Sequence, residues 1–140
     1  MILDASVVVA WFLPDEPLAE QALQLRDQAL TGPERAIVPA ICWIEVAHAL
    51  VRAMRRDRLP AAALDPAASA LRELMTLLQT HEVDPVDSMR LAIEHQVGAY
   101  DATYLCLARS NRHPLLTLDR RLADVGVEAA IDVVWLGNGA

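Results

Sequence analysis

Short apolar runs alternate with longer stretches of helical period along this chain. The first run, Met1-Ile2-Leu3, meets Asp4 and Ser6, then resumes as Val7-Val8-Val9-Ala10-Trp11-Phe12. The pattern predicts a buried strand ending at Leu3 and a short helix over residues 6–12. Leu13-Pro14-Asp15-Glu16-Pro17 interrupts it. Asp15 is the expected cap of a second helix, whose stripe is Leu18, Ala22, Leu25 and Ala29 and whose end is Gly32-Pro33. Ala36-Ile37-Val38 reads as the next strand, closed by Pro39.

Residues 41–57 predict a helix that is apolar around most of its circumference and therefore largely buried. Its polar side chains form one stripe of Glu45, His48, Arg52, Arg55 and Arg56. That stripe reads either as a solvated face or as a groove wall with acid at one end and guanidinium groups beyond. A helix begins again at Pro60 and is reset by an expected Asp65 cap before Pro66. Leu64, Ala67, Leu71, Leu74 and Leu78 form its stripe, and it is expected to pair with the preceding helix as a hairpin. A brief third strand is expected over 82–84, then a helix over 86–96 ended by Gly98. Another helix opens at Tyr100-Asp101. Pro114-Leu115-Leu116-Thr117-Leu118-Asp119 is the clearest strand, turning into a short helix at Arg120-Arg121-Leu122. Residues 131–135 read as a fifth strand and Gly137-Asn138-Gly139 as a tail. Strands alternating with helices predict one α/β domain over residues 1–140 with a mainly parallel sheet.

Composition narrows the picture. The chain is 54% hydrophobic, yet no apolar run reaches the roughly 18 residues of a membrane span. The apolar start lacks a basic region and meets Asp4 at once, unlike a signal peptide, so a cytoplasmic protein is expected. Cys42 and Cys106 lack metal-site spacing and sit within apolar helical patterns, as reduced core thiols do. The net charge of −7 argues against a nonspecific nucleic-acid binder of the usual basic kind. It leaves room for a nucleic-acid enzyme whose acidic centre holds a metal. All 12 basic residues are Arg.

Candidate chemistry lies where the pattern changes. Asp4 and Asp119 stand where a strand hands over to a helix; Asp101 and Glu45 lie near the starts of two others. Each alone has an ordinary reading as a helix cap or first-turn acid. In a parallel α/β fold, however, ligand sites form at the carboxyl ends of strands, where one cleft could collect all four. Two like charges about 4 Å apart repel by roughly 4 kcal/mol at an effective dielectric of 20, so such a cluster takes up protons or holds a cation. Carboxylates without His or Cys favour Mg²⁺ or Mn²⁺ over zinc. Hydrolysis of a phosphodiester by a metal-activated water suits that chemistry. A phospho-accepting receiver domain or a haloacid-dehalogenase-type phosphatase wants a Lys, and the latter a second Asp where Ser6 stands. A phosphate-binding Gly-x-x-x-x-Gly-Lys loop is missing too.

Four segments together resemble a known family. Leu3-Asp4-Ala5-Ser6-Val7, Val38-Pro39-Ala40 with Glu45-Val46-Ala47, Tyr100-Asp101-Ala102-Thr103-Tyr104-Leu105, and Leu116-Thr117-Leu118-Asp119-Arg120-Arg121-Leu122 are similar, in order, to PIN-domain ribonucleases. The nearest resemblance is to the VapC toxins of bacterial and archaeal type II toxin–antitoxin systems. It implies a three-layer α/β/α fold with a central parallel sheet of four to five strands, the first strand beside the fourth. It implies Asp4, Glu45, Asp101 and Asp119 around Mg²⁺, with Asp4 and Asp101 as direct ligands and the other two direct or through water. Ser6 and Thr117 match small polar residues that orient a ligand or touch phosphate. His48 departs from the Asn common at its position. The resemblance further implies a VapB-type antitoxin that sends an Arg into the acidic site, and a homodimer, for which Trp11 and Trp43 are candidate contacts although core positions suit them better. Arg52, Arg55 and Arg56 are the expected guides for the RNA backbone. A PIN nuclease that processes RNA without being a toxin, or a partner-binding module with an inert acidic site, are the alternative expectations.

Overall fold

The computed structural model describes residues 1–138, so Gly139 of the expected tail lies outside the described residues. Five strands make one parallel sheet: β1 (Ile2–Leu3), β2 (Ile37–Pro39), β3 (Gln79–His81), β4 (Leu115–Thr117) and β5 (Val133–Trp135). Their order is β3-β2-β1-β4-β5, with the first strand beside the fourth as the resemblance implies. Ile2 pairs with Ile37 on one side and Leu115 on the other, and Leu3 pairs with Leu116. Both β1 residues are fully buried, as befits a central parallel strand covered on both faces.

The helices are α1 (Ala5–Phe12), α2 (Ala19–Gln24), α3 (Arg26–Thr31), α4 (Ile41–Arg55), α5 (Leu64–Leu77), α6 (Pro85–His95), α7 (Ala99–Asn111) and α8 (Arg120–Glu128). From β1 the chain steps outward through β2 to β3, then crosses back to β4 and β5. Right-handed crossovers put α1–α5 on one face and α6–α8 on the other. Accordingly α1 packs on α2 and α4, α3 on α5, and α6 on α7, which lies across β1, β2 and β4. Gly126 of α8 lets that helix close onto Val133 of β5 and Leu105 of α7; a Cβ there would run into the Val133 side chain. The core is Ala, Leu and Val, with Tyr104 the bulkiest side chain fully enclosed. Cys42 and Cys106 are buried free thiols, and Trp43 is buried with its indole N–H donating to Thr80 Oγ1 at 2.9 Å.

Several local expectations are corrected. The third strand lies at Gln79–His81, not at 82–84, because Asp84 caps α6: its carboxylate accepts from Val86 N at 2.8 Å with Pro85 at the first helical position. Asp65 sits inside the first turn of α5, after a 3₁₀ turn at Ala61–Ala63, so it faces the helix dipole but does not cap. The helix expected through Leu18–Ala29 is two helices broken at Leu25, beside the Ala22 carbonyl that accepts the Trp11 indole N–H at 2.8 Å. Asp15 caps nothing among the described residues; it and Glu16 grip Arg58, with N–O distances of 3.0 and 2.8 Å. Beyond the 3₁₀ turn that leads into it, α5 packs on α3 and β3, in place of a hairpin along α4. Finally, α4 is less buried than its apolar pattern predicts: Ile44 is 75% and Val51 40% exposed.

Candidate active site

Asp4 follows β1 directly and occupies the N-cap position of α1, yet its side chain makes no capping bond there. It turns toward β4 instead. Its backbone N–H donates to the Leu116 carbonyl at 3.0 Å. Its Oδ2 accepts from Thr117 Oγ1 at 2.8 Å and, through a short hydrogen bond, from Ser6 Oγ. Each hydroxyl in turn accepts a backbone N–H from the turn after β4: Leu118 N reaches Ser6 Oγ at 3.1 Å and Asp119 N reaches Thr117 Oγ1 at 2.9 Å. Two polarised hydroxyls therefore close on one carboxylate oxygen. Asp4 is 7% exposed and Thr117 not at all. Burial pushes the Asp4 carboxyl above the ordinary carboxylate range, against the pull of the two hydroxyls, and the Asp101 charge adds to the rise.

Glu45 comes from α4, half-buried, with Oε1 accepting the Tyr104 hydroxyl at 2.8 Å. Burial raises its proton affinity, the tyrosine bond opposes this, and the charges of Asp4 and Asp101 add to the rise. Asp101 stands in the first turn of α7. Burial raises it too, Asp119 reinforces the shift and Arg121 counters it. Asp4, Glu45 and Asp101 thus feel one another, and Asp119 joins through Asp101. Asp4, Glu45 and Asp101 concentrate negative charge in a partly dry place, although only Glu45 lines the open groove beside α4.

Asp119 plays a different part. Its Oδ1 accepts from Arg121 N at 2.8 Å and Leu122 N at 3.2 Å, so it is a true cap of α8, and it is exposed. Among the described residues no three His, Cys, Asp or Glu side chains are already disposed to share one ion. The donor chemistry nonetheless fits a hard divalent cation: every acid of the cleft is a carboxylate, and such ions are held by one or two carboxylates with several waters kept.

The first part of the α4 polar stripe, Glu45, His48 and Arg52, is a groove wall and the rest is not. A cavity of about 660 Å³ is lined by Glu45, His48 and Arg52 on α4, by Val9 of α1 and by Tyr100, with Ile41 and Ile44 along its apolar side. His48 is exposed at its margin. Arg52 also borders a smaller cavity with Arg56 and Arg58, while Arg55 is simply exposed. Sequence reasoning missed three participants. Tyr104 was visible only as an aromatic one turn after Asp101. Cys42 lies one turn before Glu45, and burial raises its thiol to about 12. Arg121, in the Leu118-Asp119-Arg120-Arg121 run, is the cation whose charge reaches Asp101.

Comparison with known proteins agrees with this architecture. The PIN domain family model matches residues 1–128. Ribonuclease VapC3 of Pyrobaculum aerophilum is 34% identical over 129 residues, covering 89% of this chain and 92% of that protein. Ribonuclease VapC9 of Mycobacterium tuberculosis is 34% identical over 126 residues, covering 90% and 91%. The crystal structure of a P. aerophilum protein superposes with a TM-score of 0.68 at 24% identity, covering 89% of this chain and 77% of that one. A toxin–antitoxin complex from Klebsiella pneumoniae contains a chain of the same fold, with a TM-score of 0.64, 20% identity and 96% coverage of both. With a family model over residues 1–128 and relatives 34% identical along about nine-tenths of its length, the chain belongs to the PIN-domain family, among relatives named VapC ribonucleases.

Proposed function

We propose that this protein is a divalent-metal-dependent endoribonuclease, the VapC toxin of a toxin–antitoxin pair. The observation that carries the reading is the Asp4 carboxylate: buried at the end of β1, diverted from capping, clamped by Ser6 and Thr117, and sensing the charge of Asp101. A carboxylate kept in so costly a setting favours a cation to face. Asp4 and Asp101 are the principal holders of Mg²⁺ or Mn²⁺, with Glu45 beside them. Asp119, whose carboxylate is engaged at α8, acts through water. When bound, the ion supplies Lewis acidity toward water and toward phosphate oxygens. Ser6 and Thr117 orient Asp4 rather than touch phosphate, since both hydroxyls are already committed to it. Arg52 in the groove and Arg121 by Asp101 meet the RNA backbone, with Arg55 and Arg56 steering from farther out.

The groove also suits a VapB-type antitoxin: Ile41, Ile44 and Val9 offer apolar contacts, and Glu45 offers a carboxylate to an incoming Arg. A homodimer in the cytoplasm completes the proposal, and no helix among the described residues is long and apolar enough to cross a membrane. Incubation of the purified chain with total RNA, in Mg²⁺ and then in EDTA, tests the enzyme. Cleavage that needs the metal and falls at least a hundredfold in Asp4→Asn and Asp101→Asn is expected; cleavage untouched by either substitution refutes it. The dispersed disposition of the carboxylates favours one rival, a partner-binding module whose acids only receive an Arg. That rival requires tight antitoxin binding with no RNA cut in any metal.

A further inference from the structure

Tyr104 is wholly buried, yet its hydroxyl has an evident task. It lies on α7 one turn beyond Asp101 and donates to Glu45 Oε1 at 2.8 Å on α4. Cys42 stands one turn before Glu45, and the Tyr104 hydroxyl partly offsets the rise that burial gives its thiol. A phenol in a core of Ala, Leu and Val is a poor filler unless its O–H finds an acceptor. Here that acceptor is a carboxylate, which makes the bond charge-assisted and directional. The bond joins the two helices that carry Glu45 and Asp101, anchored one helical turn behind the acid on α7. It occupies one oxygen of a side chain that also lines the open groove.

We propose that Tyr104 is the positioning residue for Glu45, holding its Oε1 from α7 so that Oε2 presents to a divalent cation shared with the neighbouring acids. The inference rests on the reading of these acids as a cation site. A hydrogen-bond partner behind a ligand orients it and tunes how well it binds, and its removal typically weakens metal affinity about 10- to 100-fold. Without the phenol hydroxyl, Glu45 is free to rotate toward the open groove.

The test is a Mn²⁺ titration followed by electron paramagnetic resonance on the full chain, in wild type, Tyr104→Phe, Glu45→Ala and the double variant. Phe keeps the ring and removes only the oxygen. Tyr104→Phe is expected to weaken Mn²⁺ binding at least about tenfold in wild type, and to add nothing once Glu45 is Ala. Wild-type affinity in Tyr104→Phe overturns the proposal, as does an equal loss on both backgrounds, which would mark a packing role. Should the Phe variant not fold, the wild-type Tyr104 hydroxyl proton answers instead by NMR. A slowly exchanging resonance, with a cross-peak to the Glu45 methylenes, is expected to shift on saturation with Mg²⁺; an unmoved or absent resonance overturns the proposal. A wild-type chain that binds neither ion sinks the cation reading itself, a result distinct from failure of the tether.

Discussion

Replacing Thr117 by Val tests the clamp on Asp4 with almost no change of shape. The substitution removes the donation to Asp4 Oδ2 at 2.8 Å, the acceptance from Asp119 N at 2.9 Å and a long contact with Ser6 Oγ at 3.4 Å that adds little to the first two. The first is a hydrogen bond to a buried charge, worth about 1.5–3 kcal/mol. The second is worth less, on the order of 1 kcal/mol or below, because water reaches the exposed Asp119. The expected loss at neutral pH is about 2–4 kcal/mol, roughly a 10 °C fall in Tm for a chain of this length. Thr117→Ser is the control: it keeps both bonds and loses one buried methyl, about 1 kcal/mol. The dependence on pH identifies the mechanism. Burial already holds the Asp4 carboxyl above its ordinary value, and the Thr117 hydroxyl lowers it; Val therefore raises it further. Below the wild-type folded value both proteins carry a protonated Asp4 and the charge-dependent part of the loss vanishes. It grows as pH climbs from that value through the higher one of the variant. Urea unfolding of all three proteins in EDTA, between pH 4.5 and 8, measures this. Equal losses for the Val and Ser variants across the range would refute the claim that the hydroxyl holds a charged oxygen.

Burial raises the folded-state proton affinity of Asp4, Glu45 and Asp101 above their ordinary values of 3.8, 4.5 and 3.8. The folded chain then holds protons the unfolded chain releases, so the contribution of these groups to stability falls as pH rises from the ordinary values through the folded ones. Calorimetry is expected to show Mg²⁺ raising Tm more at pH 7.5 than at pH 5; the reverse order counts against a shared cation site. Asp119→Ala is expected to cost about 1 kcal/mol in urea unfolding through loss of the α8 cap, with Asp119→Ser recovering most of it. Gly126→Ala is expected to cost about 1–3 kcal/mol, because its Cβ collides with Val133 between α8 and β5; an unchanged urea midpoint would show that the helix shifts freely.

Asp4 and Asp119 look alike in sequence, each an acid between a strand and a helix. In the fold, one capping geometry is used and the other is not. Hydrophobic period reports which backbone is buried; it carries no record of where a carboxylate turns. What turns Asp4 is a pair of hydroxyls, one of them 113 positions away. The same limit hid Tyr104, whose aromatic ring fits a core pattern and whose oxygen matters only because Glu45, 59 positions away, reaches it. Ile44 failed in the opposite direction: an apolar residue on an apolar helix predicts burial, but a groove wall needs apolar side chains left uncovered. The Glu82–Asp84 strand failed because Asp84-Pro85 is a stronger helix signal than three residues are a strand signal. The α/β class and the positions of β1, β2, β4 and β5 were legible, since their short apolar runs are each followed by a turn or a helix. The strand order was not legible from period; the likeness of four motifs to a family supplied only the neighbouring of the first and fourth strands, and the rest came from the structure.

The strand order explains why the cleft forms where it does. From β1 the chain runs outward to β2, and it later returns past β1 to place β4 on the other side. Connections that leave in opposite directions open a crevice at the carboxyl ends of β1 and β4, the usual ligand position in such sheets. The pairing of Leu3 with Leu116 brings the next residues, Asp4 and Thr117, side by side in that crevice. A slip of one position would set the hydrocarbon of Leu118 where the hydroxyl now stands and leave a buried carboxylate with one donor fewer. A two-residue strand has few ladder bonds with which to resist such a slip. The Asp4–Thr117–Ser6 cluster therefore fixes the register of the central strand as well as the direction of its carboxylate. An Asp4→Val change accordingly removes the acid and the register lock together, whereas Asp4→Asn removes the charge and keeps an oxygen for the two hydroxyls. Loss of cleavage in Asn with an intact fold, against partial unfolding in Val, is the outcome that separates the two roles of one side chain.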